Sequence, residues 1–110
     1  MTLVDAVRAA REAGLQVLLS DLGASQKRPI LAEYDPRRRT IAVNARIART
    51  LSNERGESFA RRFVAFAIAH ELHHHRSGSG DERAAHRAAR AACGDDVATF
   101  EAAIRALAPR

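Results

Sequence analysis

The sequence predicts an α+β fold, with a small sheet of about three strands packed on one long helix and further helices after it. Three observations carry that reading. Between residues 58 and 76, Phe59, Phe63, Phe66, Ala67, His70 and His74 fall along one side of a helix. Upstream, residues 15–19, 29–34 and 40–44 are short apolar or alternating segments separated by turn-forming residues. Downstream, Ser77-Gly78-Ser79-Gly80 breaks the helix and an alanine-rich stretch begins.

The first element is a helix over residues 2–13, where Leu3, Val4, Val7, Ala10 and Ala13 recur at helical spacing. Thr2 caps its start with Asp5 three residues on, and Gly14 ends it. Leu15 to Leu19 reads as a strand, and Asp21 to Arg28, polar and holding Gly23, as a loop. Pro29 to Tyr34 and Thr40 to Asn44 are two more strands, joined by the turn Asp35-Pro36-Arg37-Arg38-Arg39. Ala45 to Leu51 is a short helix, and Ser52 to Glu57, with Gly56, a polar break. The long helix starts at Ser58, and the next runs from Asp81 to Cys93, where Gly94 stops it. Asp95 or Asp96 caps a last helix to about Leu107. With no repeat and no long linker, residues 1–110 are expected to form a single domain.

Composition narrows the function classes. The chain is 46% hydrophobic but only 5% aromatic, so its core must be built largely from small side chains. No apolar run approaches the roughly 18 to 20 residues of a membrane span, so no membrane association is expected. The amphipathic N-terminus, with its acids, lacks the build of a secretory signal. Cys93 is the single cysteine, which rules out an intrachain disulfide and suits a cytoplasmic location. The net charge of +5 comes from arginines spread along the chain, with few aromatic groups for stacking and no nucleotide-binding motif. That pattern fits solvated faces better than direct nucleic-acid binding.

The strongest chemical signal is His70-Glu71-Leu72-His73-His74, an H-E-x-x-H motif inside a helical pattern. Four residues are close to one helical turn, so His70 and His74 face the same way and can bind one metal ion. Glu71 lies beside them, where a carboxylate can take a proton from water and pass it to a leaving amine. A catalytic zinc usually takes three protein ligands. Glu82, at the start of the helix after the glycine turn, is the expected third; Asp81 is its neighbouring rival. His86 lies one turn beyond Glu82 and is a further ligand or a donor to one. Tyr34, His75 and His86 are the candidates for a donor to the oxyanion of a peptide under attack, and the sequence does not choose between them. An exposed edge of the strand Thr40–Asn44 is a candidate for holding an extended peptide. Zinc is the expected metal, although two histidines and a carboxylate also serve manganese, iron or cobalt.

Three segments together resemble the ImmA/IrrE family of small zinc peptidases. Ala65-Phe66-Ala67-Ile68-Ala69-His70-Glu71-Leu72-His73-His74 looks like the family's apolar helix ending in H-E-L-x-H. Ile41-Ala42-Val43-Asn44, after Tyr34-Asp35-Pro36, is similar to its I-x-V-N strand. Glu82-Arg83-Ala84-Ala85-His86-Arg87-Ala88-Ala89 resembles its E-x-x-A-N-x-F-A segment, with His86 and Ala88 where the family has Asn and Phe. The resemblance implies a zincin-like minimal domain of gluzincin type. It also implies Glu82 as third zinc ligand and a protein or peptide substrate such as a transcriptional repressor. Two other readings stand beside it: a metal-bound, non-proteolytic module that binds a regulatory partner, and a basic DNA-binding module in which the histidines are incidental.

Overall fold

The computed structural model describes residues 1–23 and 30–94. Within them the chain is α+β, with four helices and a three-stranded mixed sheet. Helix α1 spans Leu3–Glu12, and its capping box forms as expected: Thr2 Oγ1 accepts from the Asp5 N–H while the Asp5 carboxylate accepts from the Thr2 N–H. Strands β1 (Gln16–Ser20), β2 (Ala32–Asp35) and β3 (Thr40–Asn44) come next, then helices α2 (Ala45–Arg55), α3 (Glu57–Ser77) and α4 (Glu82–Cys93). The helix expected after Asp95 lies outside the described residues. None of the described helices is long and apolar enough to cross a membrane.

The strand order is β1-β3-β2, with β1 parallel and β2 antiparallel to β3. This corrects the expectation of an exposed edge at Thr40–Asn44. β3 is the central strand, and its backbone groups are shared between two neighbours, so it has no free edge to offer. The edges of this sheet are β1 and β2. The β2–β3 connection is tight because the Asp35 carboxylate accepts from the N–H groups of both Arg37 and Arg38. The break expected over residues 52–57 shrinks to Gly56. Ser52 to Arg55 complete the last turn of α2, and only Gly56, at φ 93° and ψ 160°, leaves helical geometry. That conformation is open essentially to glycine alone.

Helix α3 is the core element. From Phe63 to Ala69 every residue is buried, so the single apolar face read from the sequence is in fact burial on all sides. α1 and α2 pack on α3, α4 lies along it, and β2 and β3 cover its remaining flank. Partners on so many sides suit a helix that is hydrophobic all round. Small neighbours make the crowding feasible: Ala6 and Ala10 of α1 and Ala85 and Ala89 of α4 are all fully buried. Ile41 and Val43 bring the inner face of β3 into the same cluster.

Asn44 joins the two halves of the fold. Its side chain is fully buried, yet every hydrogen-bonding position is filled. Its oxygen accepts from the N–H groups of Leu22 (3.2 Å) and Arg46 (3.1 Å). Its amide nitrogen donates to the carbonyls of Gly23 (3.0 Å) and Ile30 (2.8 Å). One residue thus ends β3, caps α2 and fastens both flanks of the segment leading into β2. Asn44→Ala removes four part-buried hydrogen bonds at once and is expected to cost roughly 2–4 kcal/mol. Asn44→Asp turns two donors into acceptors that face carbonyls, and is expected to be as damaging. Urea denaturation of the two variants beside the wild type checks both; a change below about 1 kcal/mol would refute this role for Asn44.

Candidate metal centre

The site is built where α3 ends and α4 begins. α3 carries His70, Glu71, His74 and His75 on its last two turns. It stops at Gly78, whose φ of 66° is left-handed and whose N–H bonds the His74 carbonyl at 3.0 Å. The serines of the turn fix the path into α4, as Ser77 Oγ accepts from the Ser79 N–H and Ser79 Oγ from the Asp81 N–H. Asp81 then caps α4, accepting from the N–H groups of Arg83 and Ala84 at 3.0 and 3.2 Å. That task separates the two rival acids. Asp81 turns its carboxylate into the helix terminus, while Glu82, one residue on, turns back to α3.

Glu82 meets both motif histidines. Its carboxylate oxygens lie 3.0 Å from His70 Nε2 and 2.9 Å from His74 Nε2. One donor atom from each of the three residues falls within a span of 4.8 Å. Neighbouring ligand atoms around a tetrahedral zinc stand ~3.3 Å apart, so small side-chain rotations bring this set to metal-binding distances. The two histidine side chains are only 12% and 11% exposed, whereas Glu82 is 70% exposed. The centre therefore has a dry histidine side and a wet carboxylate side.

The chemistry of His74 also fits a cation. Its Nδ1 lies 2.8 Å from the Ser79 carbonyl and its Nε2 faces Glu82, so acceptors stand at both ring nitrogens. A neutral imidazole has one N–H and satisfies only one of them. The other position calls for a second proton or a metal ion. Burial opposes a charge on His74, but the Ser79 carbonyl and then Glu71 and Glu82 hold it above the ordinary histidine value. With Nδ1–H donated to Ser79, Nε2 keeps its lone pair for a metal, an arrangement that fixes both tautomer and ring direction. His70, by contrast, is pushed below the ordinary value by burial, against the pull of Glu82. It is therefore the more readily neutral of the two, as a ligand must be.

Glu71 is 9% exposed. Burial pushes its carboxyl up to about 7, with His74 pulling it down and Glu82 and Glu33 adding to the rise. Glu71 shares an open cleft with Tyr34, His74, His75 and Glu82. There Tyr34 Oη lies 2.7 Å from His75 Nδ1. His86 sits elsewhere: its ring stands edge-on to His70, centroids 5.0 Å apart, and packs beside Phe66. Among the three candidate oxyanion donors, the fold thus brings Tyr34 and His75 to the cleft and sets His86 against the ring of His70. The contribution of the Ser79 carbonyl had no legible signal in the sequence, because it is a backbone atom placed by the turn.

No family model, curated protein or solved structure matches the chain. The functional reading accordingly stands on the motifs and on this geometry. Glu82→Ala is expected to weaken zinc binding by at least tenfold, measured by competition with a chromophoric chelator. Asp81→Ala is expected to keep zinc but lose about 1 kcal/mol of stability with its cap. The reverse result, metal lost with Asp81 and kept without Glu82, would exchange their roles.

Proposed function

We propose that this protein is a zinc-dependent metallopeptidase of the ImmA/IrrE type, with a zincin-like fold. We further propose that it hydrolyses a peptide bond in a regulatory protein such as a transcriptional repressor. One observation carries the reading: a buried glutamate with a carboxyl raised to about 7 shares a cleft with a His-His-Glu metal-binding group. A carboxylate buried in the protein yet lining the open cleft can take a proton from a water held there and give it up again, as a general base must.

His70, His74 and Glu82 would hold the metal. When bound, zinc supplies Lewis acidity toward water and toward the carbonyl oxygen of the substrate. Glu71 takes a proton from the attacking water and delivers it to the departing amine nitrogen. Burial of Glu71, only 9% exposed, keeps that carboxylate from being solvated into an ordinary acid. Substrate binding follows from the sheet. β2 is an edge strand, and its Tyr34 lines the cleft. An extended peptide can add beside β2 through main-chain hydrogen bonds and lie across the metal group. The peptide-holding role expected of Thr40–Asn44 passes to Ala32–Asp35.

Glu71→Gln keeps the shape and the metal ligands but removes the base. The variant is expected to bind zinc as the wild type does and to lose at least 10²-fold in cleavage of a proteome-derived peptide mixture, followed by mass spectrometry. Cleavage at the wild-type rate would rule out Glu71 as the base. Zinc binding with no cleavage by either protein would favour the metal-bound, non-proteolytic regulator.

A further inference from the structure

We infer that Tyr34 is the group that donates to the oxyanion, and that His75 is a positioning residue which turns the Tyr34 proton toward the cleft. This rests on the peptidase reading above and deepens it. The two side chains come from different elements, β2 and the last turn of α3, and are 41 positions apart in sequence. They meet at 2.7 Å between Tyr34 Oη and His75 Nδ1, with the rings edge to face at 5.3 Å. Both line the cleft that holds Glu71, His74 and Glu82.

The direction of that hydrogen bond decides what the tyrosine can do. If Tyr34 donated to His75, its only proton would be spent and it would show the cleft lone pairs alone. If His75 carries its proton on Nδ1 and donates to Tyr34 Oη, the phenol proton is left to point elsewhere. The proposal is the second arrangement. A phenol that accepts one hydrogen bond also donates a stronger one, since chained hydrogen bonds polarise each other. In the reaction, water oxygen bonds to the carbonyl carbon, the water proton goes to Glu71, and the C=O electron pair moves onto the carbonyl oxygen. Tyr34 donates its O–H to that oxygen. On collapse the C–N bond breaks, its electron pair stays with nitrogen, and Glu71 returns the proton there. A donor aimed at charge that develops only in the transition state is typically worth about 10²–10³ in kcat.

Tyr34 is the only tyrosine of the chain, and there is no tryptophan. Its ultraviolet absorbance therefore reports this one phenol without any labelling. The test uses the full chain loaded with zinc and the small anionic chelator acetohydroxamate, which needs no knowledge of the substrate. Four proteins are compared: wild type, Tyr34→Phe, His75→Leu and His75→Asn, the last placing an amide N–H where Nδ1–H stood. Zinc affinity is expected to be the same in all four, which also shows that each is folded at the site. Acetohydroxamate is expected to bind wild type and His75→Asn about tenfold more tightly than Tyr34→Phe and His75→Leu. In the wild type its binding is expected to shift the tyrosine absorbance to longer wavelength. Equal acetohydroxamate affinity in wild type and Tyr34→Phe, with no spectral shift, overturns this inference and leaves the metal site standing. Loss of affinity in Tyr34→Phe but in neither His75 variant overturns the role of His75 alone. A wild type that takes up no zinc overturns the metal site itself, and this inference with it.

Discussion

Ala85 and Ala89 present only methyl groups to α3, and both are fully buried there. The meeting of His70, His74 and Glu82 depends on that contact. Small residues let two helices lie close together, and α4 must lie close because its first residue has to reach rings on α3 with a side chain of only three rotatable bonds. The turn at Gly78 sets the direction of return, and the cap at Asp81 sets where the new helix begins. With those three features in place, Glu82 has little choice but to face His70 and His74. The alanine richness of the chain, at first sight a featureless property, is what allows the approach.

The electrostatics of the site follow from its position at the margin of the core. Phe66 and Leu72 are buried beside it, whereas Glu82 stands largely in water. A carboxylate that keeps most of its hydration costs little to bring near two histidines. One that loses its hydration, as Glu71 does, holds a proton more tightly than usual. Two glutamates lining one cleft thus acquire different characters from solvent exposure, Glu82 hydrated beside the two histidines and Glu71 buried with a raised affinity for its proton. His70 and His74, alike in exposure, differ instead in their partners: burial pushes the first below its usual value, and the acceptors around the second hold it above.

The sheet serves the site indirectly. β3 is held between two strands and cannot receive a partner, whereas β2, the edge strand that carries Tyr34, has its outer side unpaired within the sheet. Asn44 secures that arrangement from behind, joining the end of β3 to the chain on both sides of the segment before β2. Because its four bonds are all to backbone atoms, they constrain the path of the chain rather than any one neighbour's side chain.

Much of this is written in local sequence. The boundaries of β3, the capping box at Thr2, the helix through His70 and His74 and the break at Ser77 to Gly80 all follow from short-range rules of period and turn chemistry. So does the pairing of the two histidines, since residues four apart on one helix share a face whatever the helix packs against. Strand order is not legible, because three short strands of similar composition can be arranged in several ways and only long-range packing selects one. For the same reason local pattern alone points to Thr40–Asn44 as an edge, where packing makes it the centre. The choice between Asp81 and Glu82, the setting of His86 against His70 and the meeting of Tyr34 with His75 also required the tertiary structure. Each depends on the distance between separate elements, and the sequence specifies the elements locally while their spacing emerges only from the packing of the whole core.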